Sequence, residues 1–176
     1  GSTFWTAPQN DWGWPPPPEI DTTAYTVTVN DGSAGILLES TPETSKLNVQ
    51  ITKNFSVDLI EKAINLDYTI KNIGDAPASF APWEITRVPI GQTTFYPQGD
   101  GTPETSGTFA FNTSNGVTWF TSDTEMTGNN KLYSDGSEGW IAHTDGNVVL
   151  IKVFDDQPAS AAAPEEAEIE IYTNGQ

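Results

Sequence analysis

Leu47-Asn-Val-Gln-Ile-Thr-Lys-Asn-Phe-Ser-Val-Asp-Leu-Ile-Glu-Lys-Ala-Ile-Asn-Leu-Asp-Tyr-Thr-Ile-Lys71 decides the fold. Leu47, Val49 and Ile51 alternate with Asn48, Gln50 and Thr52, and Ile64, Leu66, Tyr68 and Ile70 alternate with Asn65, Asp67, Thr69 and Lys71. A period of two lines one face of an extended strand with apolar side chains. The two runs, joined by residues 53–63, predict an antiparallel pair with one dry face and all seven apolar side chains in one core.

The same punctuation continues on both sides. Tyr25, Val27 and Val29 alternate with Thr26 and Thr28 ahead of an Asn30-Asp-Gly turn signal, and Gly35 to Glu39 reads as a short buried strand. Asn72-Ile-Gly-Asp-Ala-Pro77 closes the pair and leads into an apolar run around Trp83. Beyond Pro89 the candidate strands are 93–96, 108–111, 117–121, 131–133, 140–144 and 148–154, and Ala167, Ile169 and Ile171 mark a last one. A long polar loop is expected over 97–107 and a small-residue linker over 159–164. Fifteen Gly and thirteen Pro interrupt the chain about every ten residues, which is the rhythm of an all-β protein. The expectation is one antiparallel β-sandwich domain over residues 1–176, without internal repeats.

Residues 1–21 differ in composition. Phe4, Trp5, Trp12 and Trp14 precede four prolines, Pro15 to Pro18. Polyproline geometry keeps such a segment extended without ladder hydrogen bonds. Three Trp in ten residues carry too much apolar area to leave in water, so the segment is expected to pack on the sandwich or frame a pocket.

Lys and Arg number 7 against 24 Asp and Glu, a formal net charge of -17 and a pI near 4.1. Such a surface repels phosphate backbones and anionic lipid, which argues against nucleic acid and membrane partners. The acids are scattered and read as a solvated surface. Asp155-Asp156, the segment from Asp123 to Glu125, and Asp100 could contribute oxygens to calcium, but no EF-hand register is present and no metal site is assigned. The chain has no Cys, which excludes thiol catalysis and thiolate metal sites. Phosphate loops, nucleophile elbows and zinc-protease motifs are also missing from the sequence. No signal segment opens the chain, which fits either a cytoplasmic protein or one whose signal has been removed, and its Thr-, Asn- and Gly-rich, Lys-poor composition points to a secreted or periplasmic location.

Phe80-Ala-Pro-Trp-Glu-Ile-Thr-Arg-Val-Pro89 holds the chain's one Arg. In a strand Trp83, Ile85 and Arg87 share one face while Glu84 and Thr86 share the other. An aromatic plate beside a forked cation suits a sugar or carboxylate ligand, and a core Trp with Arg at the sheet edge is the plainer alternative. Trp12, Trp14, Trp83, Glu84 and Arg87 are therefore the candidate ligand-binding residues. Trp5, Trp119 and Trp140 are further aromatic plates, and Gln9, Asn10 and Asp11 further polar handles.

The strings Thr3-Phe-Trp-Thr-Ala-Pro-Gln-Asn-Asp-Trp-Gly-Trp-Pro-Pro-Pro-Pro18, Ala81-Pro-Trp-Glu-Ile-Thr-Arg-Val-Pro89 and Glu168-Ile-Glu-Ile-Tyr-Thr-Asn174 resemble the bacterial family described as domain of unknown function 4380. That family is similar to the galactose mutarotase-like (aldose epimerase-like) superfamily. The resemblance implies a β-sandwich of supersandwich type and a domain longer than these 176 residues. Its missing edges would be met by a partner chain or a second copy, by a smaller sandwich closing on itself, or by residues beyond 1–176.

Mutarotation, implied by the wider superfamily, needs a base for the anomeric hydroxyl and an acid for the ring oxygen. The catalytic candidates are Glu84, a carboxylate in an apolar run, and His143, the chain's one His. Carbohydrate binding demands less, and it is the function expected from the sequence. A sugar-active enzyme working through Glu84 and His143, or a structural domain without a ligand, are the alternatives.

Overall fold

A computed structural model describes residues 1–29, 34–122 and 127–175. The Asn30-Asp-Gly turn signal and the acids from Asp123 to Glu125 lie outside the described residues. Among the described residues the chain is all-β with one short α-helix and two 3₁₀ turns, and it divides into two compact units, Gly1–Thr86 and Arg87–Gln176.

In the first unit the strands are β1 (Ser2–Ala7), β2 (Thr26–Val29), β3 (Gly35–Glu39), β4 (Val49–Asp58), β5 (Ala63–Asn72) and β6 (Ala81–Thr86), with helix α1 over Pro18–Asp21. An antiparallel sheet runs β2-β3-β4-β5, and β1 pairs antiparallel with β6. The deciding stretch forms the β4–β5 hairpin, but its strands run further than the alternation suggests. Residues 53–63 are not a connection: β4 continues to Asp58, β5 starts at Ala63, and Asp58 Oδ1 accepts the Ile60 and Glu61 amides across the tight turn. Lys53 hides this continuation in the sequence by interrupting the apolar series. Its aliphatic stem follows the dry face while its ammonium lies 4.6 Å from the Tyr25 ring centroid.

The core of this unit joins Leu47, Val49, Ile51, Tyr68 and Ile70 to Phe4, Trp5, Trp12 and Ile20, with Phe4 stacked on Tyr68 at 4.0 Å. Ile64 and Leu66 do not join it; Ile64 is 73% exposed and Leu66 is half-buried. The cluster covers only the end of the hairpin remote from its turn. The expected buried strand at β3 is likewise only partly covered, with Gly35 buried and Ile36 exposed.

Residues 2–7 also depart from expectation. They form a full ladder with β6 instead of an extended segment without one, from Ser2 opposite Thr86 to Ala7 opposite Ala81. Every proline of the segment lies at position 8 or later, so each residue of β1 keeps its amide donor. Pro18 then takes the first position of α1, where a missing amide costs nothing.

In the second unit the strands are β7 (Thr93–Pro97), β8 (Glu104–Ser106), β9 (Asn112–Ser114), β10 (Val117–Thr121), β11 (Gly128–Ser134), β12 (Trp140–Asp145), β13 (Val148–Val153) and β14 (Ile169–Gly175). They build a five-stranded sheet, β13-β12-β7-β10-β9, and a three-stranded sheet, β14-β11-β8. Tyr96, Phe120 and Ile141 from the first meet Leu132, Ile169 and Ile171 from the second in one core, the packing of a small antiparallel β-sandwich. The expected strand at 108–111 is a loop. Phe109 is buried within 4.1 Å of Phe120 between ring centroids, yet the Thr108 amide goes to Asn130 Oδ1 and not to a ladder. The long loop at 97–107 contains β8, which pairs with β11. Lys131 of β11 bridges to Glu170 at 2.9 Å and Glu166 at 3.7 Å. Burial would lower its amine, but the Glu170 hydrogen bond and the neighbouring charges raise it above its ordinary value.

Candidate functional site

The β1–β6 ribbon assembles the aromatic cluster of the first unit. Trp5 and Trp83 stand directly opposite in the ladder, and their rings meet edge to face at 5.6 Å. Trp12 closes on both, 5.8 Å from Trp5 and 6.4 Å from Trp83, and its indole Nε1 donates to the Thr6 carbonyl at 2.8 Å. Trp14 lies edge to face with Trp5 at 6.0 Å. Burial ranks the four. Trp5 and Trp12 are buried, Trp83 is half-buried, and Trp14 leaves 71% of its surface exposed.

A polar scaffold holds this cluster. Asp21, at the end of α1, accepts from Trp5 Nε1 at 2.7 Å and from Thr3 Oγ1 at 3.1 Å. Nearby, the Tyr25 hydroxyl donates to the Ile20 carbonyl, and burial together with the Asp21 charge pushes the phenol up to about 12. Burial lowers the Lys53 amine against the opposing pull of Asp21.

The loop after β3 is organised by Glu43, a fully buried carboxylate. It accepts from the Ser45, Lys46, Leu47 and Asn48 amides and from the Ser45 hydroxyl, at 2.5 to 3.2 Å. Burial alone would raise its pKa. The hydroxyl and amide donors outweigh burial, so the carboxyl lies below its ordinary value of 4.5. This loop presents Lys46, whose Nζ donates to the Trp12 carbonyl. Asp11, Lys46, Leu47, Ala78, Ser79 and Phe80 line a shallow groove of about 350 Å³. Leu47 and Ala78 also border a second groove of about 460 Å³ formed mainly by residues 72–77.

Of the candidate ligand-binding residues, the structure brings together Trp12, Trp14 and Trp83. Glu84 pairs with Phe4 and so faces the side of the ribbon opposite Trp83, accepting from Thr86 Oγ1 at 3.1 Å. Arg87 is exposed just beyond β6, at the start of the second unit. Gln9, Asn10 and Asp11 form one 3₁₀ turn that carries the chain from β1 to Trp12. In the second unit Trp119 and Trp140 are half-buried, and the Trp140 ring lies edge-on to Phe95. His143 is buried on β12 with Nδ1 at 2.9 Å from Thr94 Oγ1, and its Nε2 has no hydrogen-bond partner among the described residues. Among those residues no group of three or more His, Asp and Glu comes close enough to hold a metal ion, and no helix is long and apolar enough to cross a membrane.

Sequence reasoning missed Asp21 and Glu43. The run Pro18-Glu-Ile-Asp21 signalled only a helical turn begun by a proline, not the contacts of its acid. Glu43 carried no signal beyond its nearness to Ser45, because its partners are mostly backbone amides.

No curated protein and no solved structure matches the chain. Residues 1–176 match the domain of unknown function family DUF4380 from end to end, and the chain belongs to that family.

Proposed function

We propose that the protein binds carbohydrate at the aromatic cluster of its first unit, with the Trp14 ring as platform and Trp83 beside it. The observation that supports this is the exposure of Trp14 on a fixed support. An indole left mostly in water costs hydration free energy unless a ligand covers it, and the buried Trp5 ring fixes its edge. A pyranose lays its C–H face on such a ring, and the groove bearing Asp11, Lys46 and Ser79 on the same unit offers donors and acceptors for hydroxyls. Trp12 serves as support rather than contact. Family resemblance supports the finer fold reading, a supersandwich of galactose mutarotase-like type, and composition supports a secreted or periplasmic location.

The enzymatic alternative needs a titratable partner for Glu84 or His143, and the described partner of His143 is a threonine hydroxyl. Binding asks only for the aromatic platform and polar groups beside it, and it is the favoured reading. A glycan array probed with and without calcium tests it, followed by calorimetry on the best glycan. Trp14→Ala should weaken binding about tenfold, which is about 1.4 kcal/mol, with little change in melting temperature. Trp12→Ala should instead cost about 3 to 5 kcal/mol of stability. Retention of no glycan, or undiminished affinity in Trp14→Ala, overturns the proposal.

A further inference from the structure

The two grooves of the first unit share their walls. Besides Asp11, the groove that holds Lys46 is lined by residues 46–47 and 78–80, and the second groove by residues 47–48 and 72–78. Leu47 and Ala78 belong to both, so the grooves are consecutive stretches of one trough between the loop after β3 and the connection from β5 to β6. Each stretch alone exceeds the roughly 300 Å³ at which small-ligand sites begin. The trough is also built in advance. Glu43 fixes the amides of residues 45–48, and the Asn48 carbonyl accepts the Ile73 amide at 2.8 Å, which ties one wall to the other. Asn72 holds the following turn, its Oδ1 accepting the Gly74 amide at 2.9 Å and its Nδ2 donating to the Ala76 carbonyl at 2.8 Å. At Gly74 the walls nearly touch, since a Cβ there would stand 3.1 Å from that of Asn48. Fixed walls spare a ligand the cost of ordering them.

What the trough offers is polar and nearly neutral. Residues 74–79 are exposed outside any strand, and Ala78 and Ser79 make no hydrogen bond among the described residues, so their backbone groups are open to hydroxyls. Of the charges along it, Asp11 and Asp75 oppose Lys46, whose Nζ already donates to the Trp12 carbonyl. A net charge of -17 repels an acidic glycan as well. That same contact of Lys46 places the first groove beside the turn leading to Trp14, with the second groove beyond it. We propose that the ligand is a linear, uncharged oligosaccharide, one unit on Trp14 and the following units along the trough past Leu47 and Ala78, an inference that rests on the carbohydrate reading above. A single pyranose would leave the second groove empty.

Calorimetry on cello-, manno- and malto-oligosaccharides, from disaccharide to hexasaccharide, tests the length of the site. In at least one series affinity should rise about tenfold or more with length and then level off, as hydrogen bonds to the trough are added. Trp14→Ala should weaken every length by the same factor. Ala78→Ile, an exposed position where the two grooves meet, should remove the gain with length and leave the disaccharide affinity and the melting temperature unchanged. Galacturonate oligomers of equal length should bind at least about tenfold more weakly at low salt, where charge is least screened. Equal affinity for disaccharide and hexasaccharide in the wild-type chain overturns the inference and leaves the carbohydrate reading standing. A length gain that survives Ala78→Ile also overturns it, since the chain of sugars then lies elsewhere, and galacturonate bound as tightly as the neutral series overturns the uncharged class. Binding of no saccharide at any length overturns the carbohydrate reading itself, and this inference with it.

Discussion

At the scale of single residues, a buried carboxylate and a half-buried amine make opposite demands on pH. Glu43 is held ionised by five donors that lose their acceptor if the carboxylate is removed. Glu43→Ala should therefore cost about 3 kcal/mol or more in urea unfolding, well above an average substitution. Its folded pKa lies below its unfolded value, so its contribution is complete above the unfolded pKa and disappears as pH falls through the folded one. Stability measured from pH 6 to 3 should fall less steeply in Glu43→Gln than in wild type. Lys152 behaves in the reverse sense, because burial pushes its amine down to about 8. The cost of keeping it charged is present at neutral pH and is relieved as pH rises through 8 toward the unfolded value. Lys152→Met should be more stable than wild type at pH 7, and the gap should close by about pH 10; a gap independent of pH would assign the gain to packing alone. Neither role is legible in the sequence. Glu43 is one of 24 acids, and four of its five donors are amides that any residues could have supplied.

At the scale of elements, the ribbon of β1 and β6 is what joins the aromatic segment to the first unit. Deleting Gly1 to Pro18 removes the ladder partner of β6 together with Phe4, Trp5 and Trp12 from the core. Several hundred Å² of apolar surface at about 25 cal/mol per Å² amounts to several kcal/mol, comparable to the stability of a whole domain. The truncated chain should lose its near-UV tryptophan CD and melt far below wild type; an unchanged melting temperature would show that β1 contributes nothing. The sequence disclosed elements wherever period-two alternation was unbroken, as in the first part of β4, through Thr52, and in β5. It misled at 108–111, where apolar residues are buried by a loop whose amide goes to Asn130, because periodicity reports which side chains are buried and not where the backbone hydrogen bonds go. It also set the hairpin boundary too early at Lys53, since a long cation can lie along a dry face without ending a strand.

At the scale of the whole molecule, composition was a sure guide to architecture and a poor one to the site. The spacing of Gly and Pro indicates an all-β chain, and the observed sheets are all antiparallel. Six Trp, in contrast, look alike in the sequence. Which of them reaches solvent depends on ladder neighbours and on the turn at Gly13, whose φ of +68° directs Trp14 away from the buried course of Trp12. Charge is the remaining global property, and it has a measurable consequence. With 24 acids against 7 basic residues the folded chain repels itself, and the repulsion reaches across the molecule at low ionic strength, where the Debye length is about 30 Å. Raising NaCl from about 0.02 M to about 0.5 M shortens that reach to a few Å. It reaches the ion pairs of Lys131 much less, because they are partly buried and so only weakly screened by salt. Repulsion therefore decides the sign. Melting temperature at pH 7 should rise by about 2 to 4 °C, equivalent to about 1 kcal/mol for a chain of this length. The same salt step at pH 4, near the pI of 4.1, should have little effect, because the net charge has gone. A melting temperature that falls with salt at pH 7 would show that attractive pairs outweigh the excess of acid, and the acidic surface would then be a source of stability instead of a cost.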